Sequence, residues 1–245
     1  MFFGALVQRS LKMQLVALSF AIGAMGLASH VSAITYPTPN LLTNDGFETN
    51  LLTSDVNVLG PPYSQNIWGD EASTITGATA GVTPHNGKLM LSMTTDNLVA
   101  TQTFQLIDVS AYSADISAGL LTVTGSAYYD ADQALPAALA EINVFFWDSS
   151  ENTTGPTNST TAQVLDANPA TWQQLSISNI PVPTNTNFII EQVIYGDASL
   201  NANDGAVHAG FVDDASLTLD TVPEPASLGL LAFGAVGFLR VRRQK

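Results

Sequence analysis

From residue 207 to residue 219 the chain alternates without a break. Val207, Ala209, Phe211, Asp213, Ala215, Leu217 and Leu219 fall on one side, and His208, Gly210, Val212, Asp214, Ser216 and Thr218 on the other. A period of two is the side-chain repeat of a β-strand. Shorter runs of the same kind recur at 89–94, 101–107, 120–129, 142–147, 173–177 and 188–195. Turn formers separate them: His85-Asn86-Gly87, the Thr- and Asn-rich stretch 151–161, Asn168-Pro169, 181–187 and 201–205. Many short strands divided by turns read as an all-β, antiparallel β-sandwich. Helical periodicity is scarce, and only residues 134–141 offer one or two helical turns. No internal repeat is visible.

Charge is distributed as unevenly as structure. Of the seven basic residues, two lie near the front and four at the very end, so Lys88 alone serves the body. Twenty of the 21 acidic residues share that body, leaving it a net charge of −19. Such a surface repels nucleic acid. It suits a soluble exported domain and can attract divalent cations, although solvation alone accounts for most surface carboxylates. Asp213 stands in the middle of what reads as the core-facing side of the last strand. An unpaired buried carboxylate is costly, and one lysine cannot serve twenty acids. A cation is one answer, with hard oxygen ligands favouring Ca²⁺; strong hydrogen-bond donors and a local bulge that turns Asp213 outward are the others. The chain has no cysteine, which removes disulfides, thiol nucleophiles and cysteine-based metal sites.

The ends read as addresses. Arg9 and Lys12 precede an apolar stretch, residues 13–28, and Val31-Ser32-Ala33 offers small residues for cleavage. This is the layout of a secretory signal peptide over residues 1–33, as a short signal helix. Residues 222–245 place Pro223-Glu224-Pro225 before an apolar run of 14 residues, 226–239, and then Arg240, Arg242 and Arg243. As a helix that run would rise about 21 Å, at ~1.5 Å per residue, against a bilayer core of about 30 Å. It is short for a permanent span, and basic residues after it would stay cytoplasmic. The tail resembles that of PEP-CTERM proteins. The resemblance implies a Gram-negative source, export by the Sec machinery, and transient retention in the inner membrane. It further implies removal of the tail by an exosortase and delivery to the cell surface or extracellular matrix.

The body, residues 34–221, carries a second resemblance. Asn40 to Glu48, with Asn44-Asp45-Gly46-Phe47-Glu48 at its end, His85-Asn86-Gly87-Lys88, and Phe211 to Leu217 resemble jelly-roll carbohydrate-binding modules of galactose-binding-like fold. That family commonly joins its first and last strands through a structural Ca²⁺. The positions implied here are Glu48, a backbone carbonyl near Lys88, and Asp213, with Asn44 or Asp45 adding an oxygen. Asp214 remains the alternative to Asp213. Trp172 resembles a tryptophan that packs in the family's core.

No nucleophile elbow, zinc-binding helix motif, phosphate loop or dinucleotide fingerprint occurs. Asp130, Asp132 and Glu141 have EF-hand spacing, but Leu135 stands where glycine is required. The reading is therefore of a binding protein and not an enzyme. Sugar rings stack on aromatic faces beside polar groups. Trp68, with Tyr63, in a turn-rich loop, and Trp147, on a strand apolar on both faces, are the candidates. The expected partner is extracellular polysaccharide. A structural biofilm-matrix or surface protein without a ligand site, and a hydrolase built on paired carboxylates, are the alternatives.

Overall fold

The computed structural model describes residues 34–54, 64–69, 73–94, 100–132, 138–160, 162–166, 168–197 and 209–222. The signal segment, Tyr63, the 201–205 turn, His208 and the tail from Pro223, with both expected flanking helices, lie outside them. The chain divides into two units, Met1–Thr35 and Tyr36–Lys245, and the strands all belong to the second.

Twelve strands are described: β1 (Leu52–Thr53), β2 (Trp68–Gly69), β3 (Ser73–Thr76), β4 (Met90–Thr94), β5 (Ala100–Asp108), β6 (Leu121–Ala131), β7 (Ala138–Trp147), β8 (Asn158–Ser159), β9 (Gln163–Val164), β10 (Gln173–Pro181), β11 (Phe188–Asp197) and β12 (Ala209–Thr221). One sheet has seven strands in the order β1-β2-β5-β11-β7-β8, with β9 also on β7. The other has five, β10-β6-β12-β4-β3. Among the described strands β1 and β2 alone pair in parallel. From β4 to β7, and again from β10 to β12, the chain crosses to the opposite sheet at every step. That back-and-forth winding is the jelly-roll form of a β-sandwich.

Inward residues of both sheets make one core. Ile142, Val144 and Phe146 of β7 and Ile189, Val193 and Tyr195 of β11 meet Val123, Ala127 and Tyr129 of β6 and Leu217 and Leu219 of β12. Loops add Leu42, Phe47, Val109, Leu165 and Val182 to this core. One loop holds a five-residue helix, α1 (Ser113–Ser117), that buries Ile116.

Two expectations change. Residues 138–141 are not helical but open β7, because Ala138 and Ala140 alternate into the core. The uniform alternation of the last strand is also broken. Its register on β6 shifts between Asp213 and Ser216, with Asp214 at φ 44°. An extra residue in a strand reverses which side faces in. Before the bulge Val212 points to the core and Phe211 and Asp213 point to the outer face; after it Ala215, Leu217 and Leu219 point inward. The bulge takes Asp213 off the core face, but the side chain stays buried and three main-chain N–H groups satisfy it.

Candidate functional site

The outer face of the seven-stranded sheet carries an apolar cluster of its own. The antiparallel register places Asp108, Phe188 and Trp147 in one row across β5, β11 and β7. The next rows are Leu106–Ile190–Phe145, Phe104–Gln192–Asn143 and Gln102–Ile194–Glu141. Phe104, Leu106 and Ile190 are buried, while Phe145, Trp147 and Phe188 are partly accessible and pack against them. Into this apolar surface the alternation inserts three amides. Asn143 Nδ2 donates to Gln192 Oε1 at 2.8 Å, and Gln192 Nε2 donates to Gln102 Oε1 at 2.5 Å. The chain of amides leaves Asn143 Oδ1 buried with no donor among the described residues. The face thus joins partly accessible aromatic rings to a buried chain of amides that ends at the half-buried Gln102.

The predicted aromatic candidates separate. Trp147 belongs to this face. Trp68 does not: it is fully buried, with its ring 5.4 Å from Phe47, and cannot stack on a ligand. Its strand β2 pairs with β5, which turns the indole inward against the core instead of leaving it in a loop. Tyr63 falls outside the described residues. Trp172 is not in the main core either. It is half-buried on the outer face of the five-stranded sheet with Val82, Met90 and Phe211, and its Nε1 donates to Thr83 O at 2.9 Å. The three amides were missed in the sequence. Their signal was alternation, since Gln102, Asn143 and Gln192 each share a strand face with aromatic or aliphatic residues.

The expected metal ligands meet at one end of the sandwich. A cavity of about 270 Å³ is lined by Asn44, Asp45, Gly46, Glu48, Asn86, Gly87 and Asp214. Glu48 Oε1 accepts from Lys88 N at 2.8 Å and Leu89 N at 3.0 Å, and these bonds, Leu89's first, hold its carboxyl below the usual range. Gly87, at φ 64°, is required here: a β-carbon on it would lie 2.0 Å from Glu48 Oε1. Asp213 is buried beside them. Its Oδ2 accepts from His85 N at 2.9 Å and Asn86 N at 3.2 Å, and its Oδ1 from Asp214 N at 2.9 Å. Burial still pushes its carboxyl up to about 6. Asp214 Oδ2 lies 2.6 Å from His85 Nδ1, and the His85 ring stacks on Tyr128 at 3.9 Å.

Glu48 therefore holds the 85–89 loop to the first loop and Asp213 holds it to β12, both through main-chain N–H groups. Lys88 contributes its N–H to Glu48, while its carbonyl oxygen lies 3.5 Å from where a β-carbon on Gly77 would sit. The Asn44 amide is engaged by Thr49, accepting from Thr49 N and donating to Thr49 O, each at 2.9 Å. Among the described residues no three His, Asp or Glu side chains form a ready metal-binding group. Glu48, Asp45 and Asp214 nevertheless border one cavity, with hard oxygen donors, and Gly87 leaves room for the Glu48 carboxylate there.

No curated protein matches the chain. Among solved structures it is similar to a family 61 carbohydrate-binding module, TmCBM61, in complex with β-1,4-galactotriose. The identity is 17% over 74% of this chain and 98% of that one, with a TM-score of 0.49. It is similar to the CBM22-1 xylan-binding domain of Paenibacillus barcinonensis Xyn10C at 12% identity, covering 71% and 94%, TM-score 0.41. It is also similar to a Stig cyclase from Fischerella sp. TAU at 11% identity, covering 76% and 99%, TM-score 0.44. Among the described residues no helix is long and apolar enough to cross a membrane. The end of the chain is assigned directly: residues 221–243 carry the PEP-CTERM protein-sorting motif.

Proposed function

We propose that this exported protein binds extracellular polysaccharide on the outer face of its seven-stranded sheet, without catalysis. The observation that carries the reading is the amide chain Asn143–Gln192–Gln102 set among Phe145, Trp147 and Phe188. Trp147 and Phe145 offer ring faces for stacking. Gln102, half-buried at the open end of the amide chain, is the amide that can meet a sugar hydroxyl. Glu141 and Asp108 on the outer rows, and the net charge of the body, favour uncharged glycans over acidic ones. A glycan array with the purified protein tests this. Retention of neutral polysaccharides or oligosaccharides is the expected result; no retained glycan at millimolar concentration contradicts it.

The same reading includes a structural Ca²⁺ held by Glu48 and the Asp213–Asp214 pair, with Asn44 or Asp45 and main-chain oxygens near Lys88 completing the shell. Bound there, the ion would offset the carboxylates that join the first loop to the last strand. Its removal with EDTA should lower the melting temperature, and Ca²⁺ should restore it. A melting temperature indifferent to both excludes the ion.

The sorting motif places the protein's route at the membrane. We read that route as Sec export in a Gram-negative cell. The tail is held in the inner membrane until an exosortase removes it, and the sandwich passes to the surface or the exopolysaccharide matrix of a biofilm.

A further inference from the structure

The sorting motif begins inside the fold. Its first residue, Thr221, is the last residue of β12 and pairs with Leu121 of β6. The next, Val222, donates its N–H to Leu120 O at 2.7 Å. The other side of this strand end is held as well. Thr38 N donates to Leu219 O and Leu219 N donates to Thr38 Oγ1, both at 2.9 Å. Past Val222 come Pro223, Glu224 and Pro225, and the apolar run starts at Ala226. Three extended residues span at most about 11 Å. Chain and sandwich therefore have almost no spacer between them.

We infer that removal of the tail is limited by the last rungs of β12: residues 220–222 must leave β6 before the chain near Pro223 can be cut. This rests on the processing reading above. A protease takes its substrate as an extended segment, pairing its own backbone with several residues on each side of the cut. Here the Val222 N–H is committed to Leu120 O, the Thr221 N–H is turned to Asp220 Oδ1, and Asp220 and Thr221 stay in register with Thr122 and Leu121 of β6. Water then adds across the scissile peptide bond, leaving a carboxylate on the body and an amine on the tail. Once these rungs have closed, cutting waits for them to open, so the folded end of β12 sets the residence time at the membrane.

Two alterations test this in cells that process the full chain. Six Gly and Ser residues inserted between Val222 and Pro223 supply the missing spacer. Because each rung freed is a factor of roughly five, cleavage should speed up by about tenfold or more. Thr122→Cys with Asp220→Cys, register partners in a chain that has no other cysteine, would staple the strand end. The staple should slow cleavage, and either dithiothreitol or the inserted spacer should restore it. The control is replacement of Pro223, Glu224 and Pro225 by alanine. If that variant is uncut while the spacer and the staple leave the rate unchanged, the limit at β12 is overturned and the processing reading stands. If the wild-type chain is uncut, or the alanine variant is cut as fast, both fall together.

Discussion

Glu191 offers the sharpest test of how the core is built. It lies on the inward face of β11, fully buried, between Gln105 of β5 and Val144 of β7. Among the described residues no donor reaches either of its oxygens. A β-carbon on Gly125 would stand 3.2 Å from Oε2, and the Gln105 amide is engaged with the main chain of Thr43. Burial pushes its pKa well above the ordinary 4.5. The folded protein then holds a proton that the unfolded chain releases. Stability is therefore fully present below about pH 4.5 and falls as pH rises from there to the folded-state pKa. The slope is one proton, tenfold in the folding constant or about 1.4 kcal/mol per pH unit. Glu191→Gln is close in shape and cannot ionise. Urea denaturation at successive pH values should show the wild type losing about 1.4 kcal/mol per unit relative to the variant, and the pH at which the two curves become parallel reads the folded pKa. Tyr129 faces Glu191, but its own pKa is raised and it stays neutral in this window. Asp130, which burial pushes up to about 6, titrates in both proteins and cancels in the comparison. Parallel curves from pH 5 upward would refute the claim that Glu191 is neutral in the fold.

Other perturbations follow from the packing. Trp68→Ala should destabilise the protein by about 3–5 kcal/mol, read in urea, and leave glycan retention per folded molecule unchanged, because the indole is core and not ligand surface. Gly87→Ala should lower the melting temperature and abolish any response to Ca²⁺, since its methyl group would displace Glu48; a variant that still responds would remove Glu48 from the proposed site. Gly210→Ala should cost stability through overpacking, because its β-carbon would fall 2.1 Å from the Tyr195 ring.

Much of the sandwich was legible because alternation survives in single strands. Each of the seven runs read in the sequence corresponds to a strand, from β4 to β12. What alternation cannot reveal is a change of phase. The run 207–219 reads as one uninterrupted face, yet the bulge at Asp213–Asp214 divides it in two, and only the partner strand β6 sets where the shift falls. Trp68 shows the same limit from another direction. Its neighbours mark a loop, but two residues of pairing to β5 suffice to turn the ring inward. The carboxylate end was readable as a set of residues, Glu48, Lys88 and Asp213, and not as bonds. The main-chain N–H groups that hold Glu48 and Asp213 depend on the 85–89 loop, whose path no pattern encodes. The amide chain across β5, β11 and β7 required register, which is a property of three strands together.

The central claim is that Trp147 and Phe145 form a sugar-binding face, and titration of the best-retained oligosaccharide into the wild type, Trp147→Ala and Phe145→Ala measures it directly. Melting curves establish that each variant is folded. The expected result is saturable binding by the wild type and affinity weakened by roughly tenfold or more in each folded variant. Equal affinity in all three would contradict the assignment of this face.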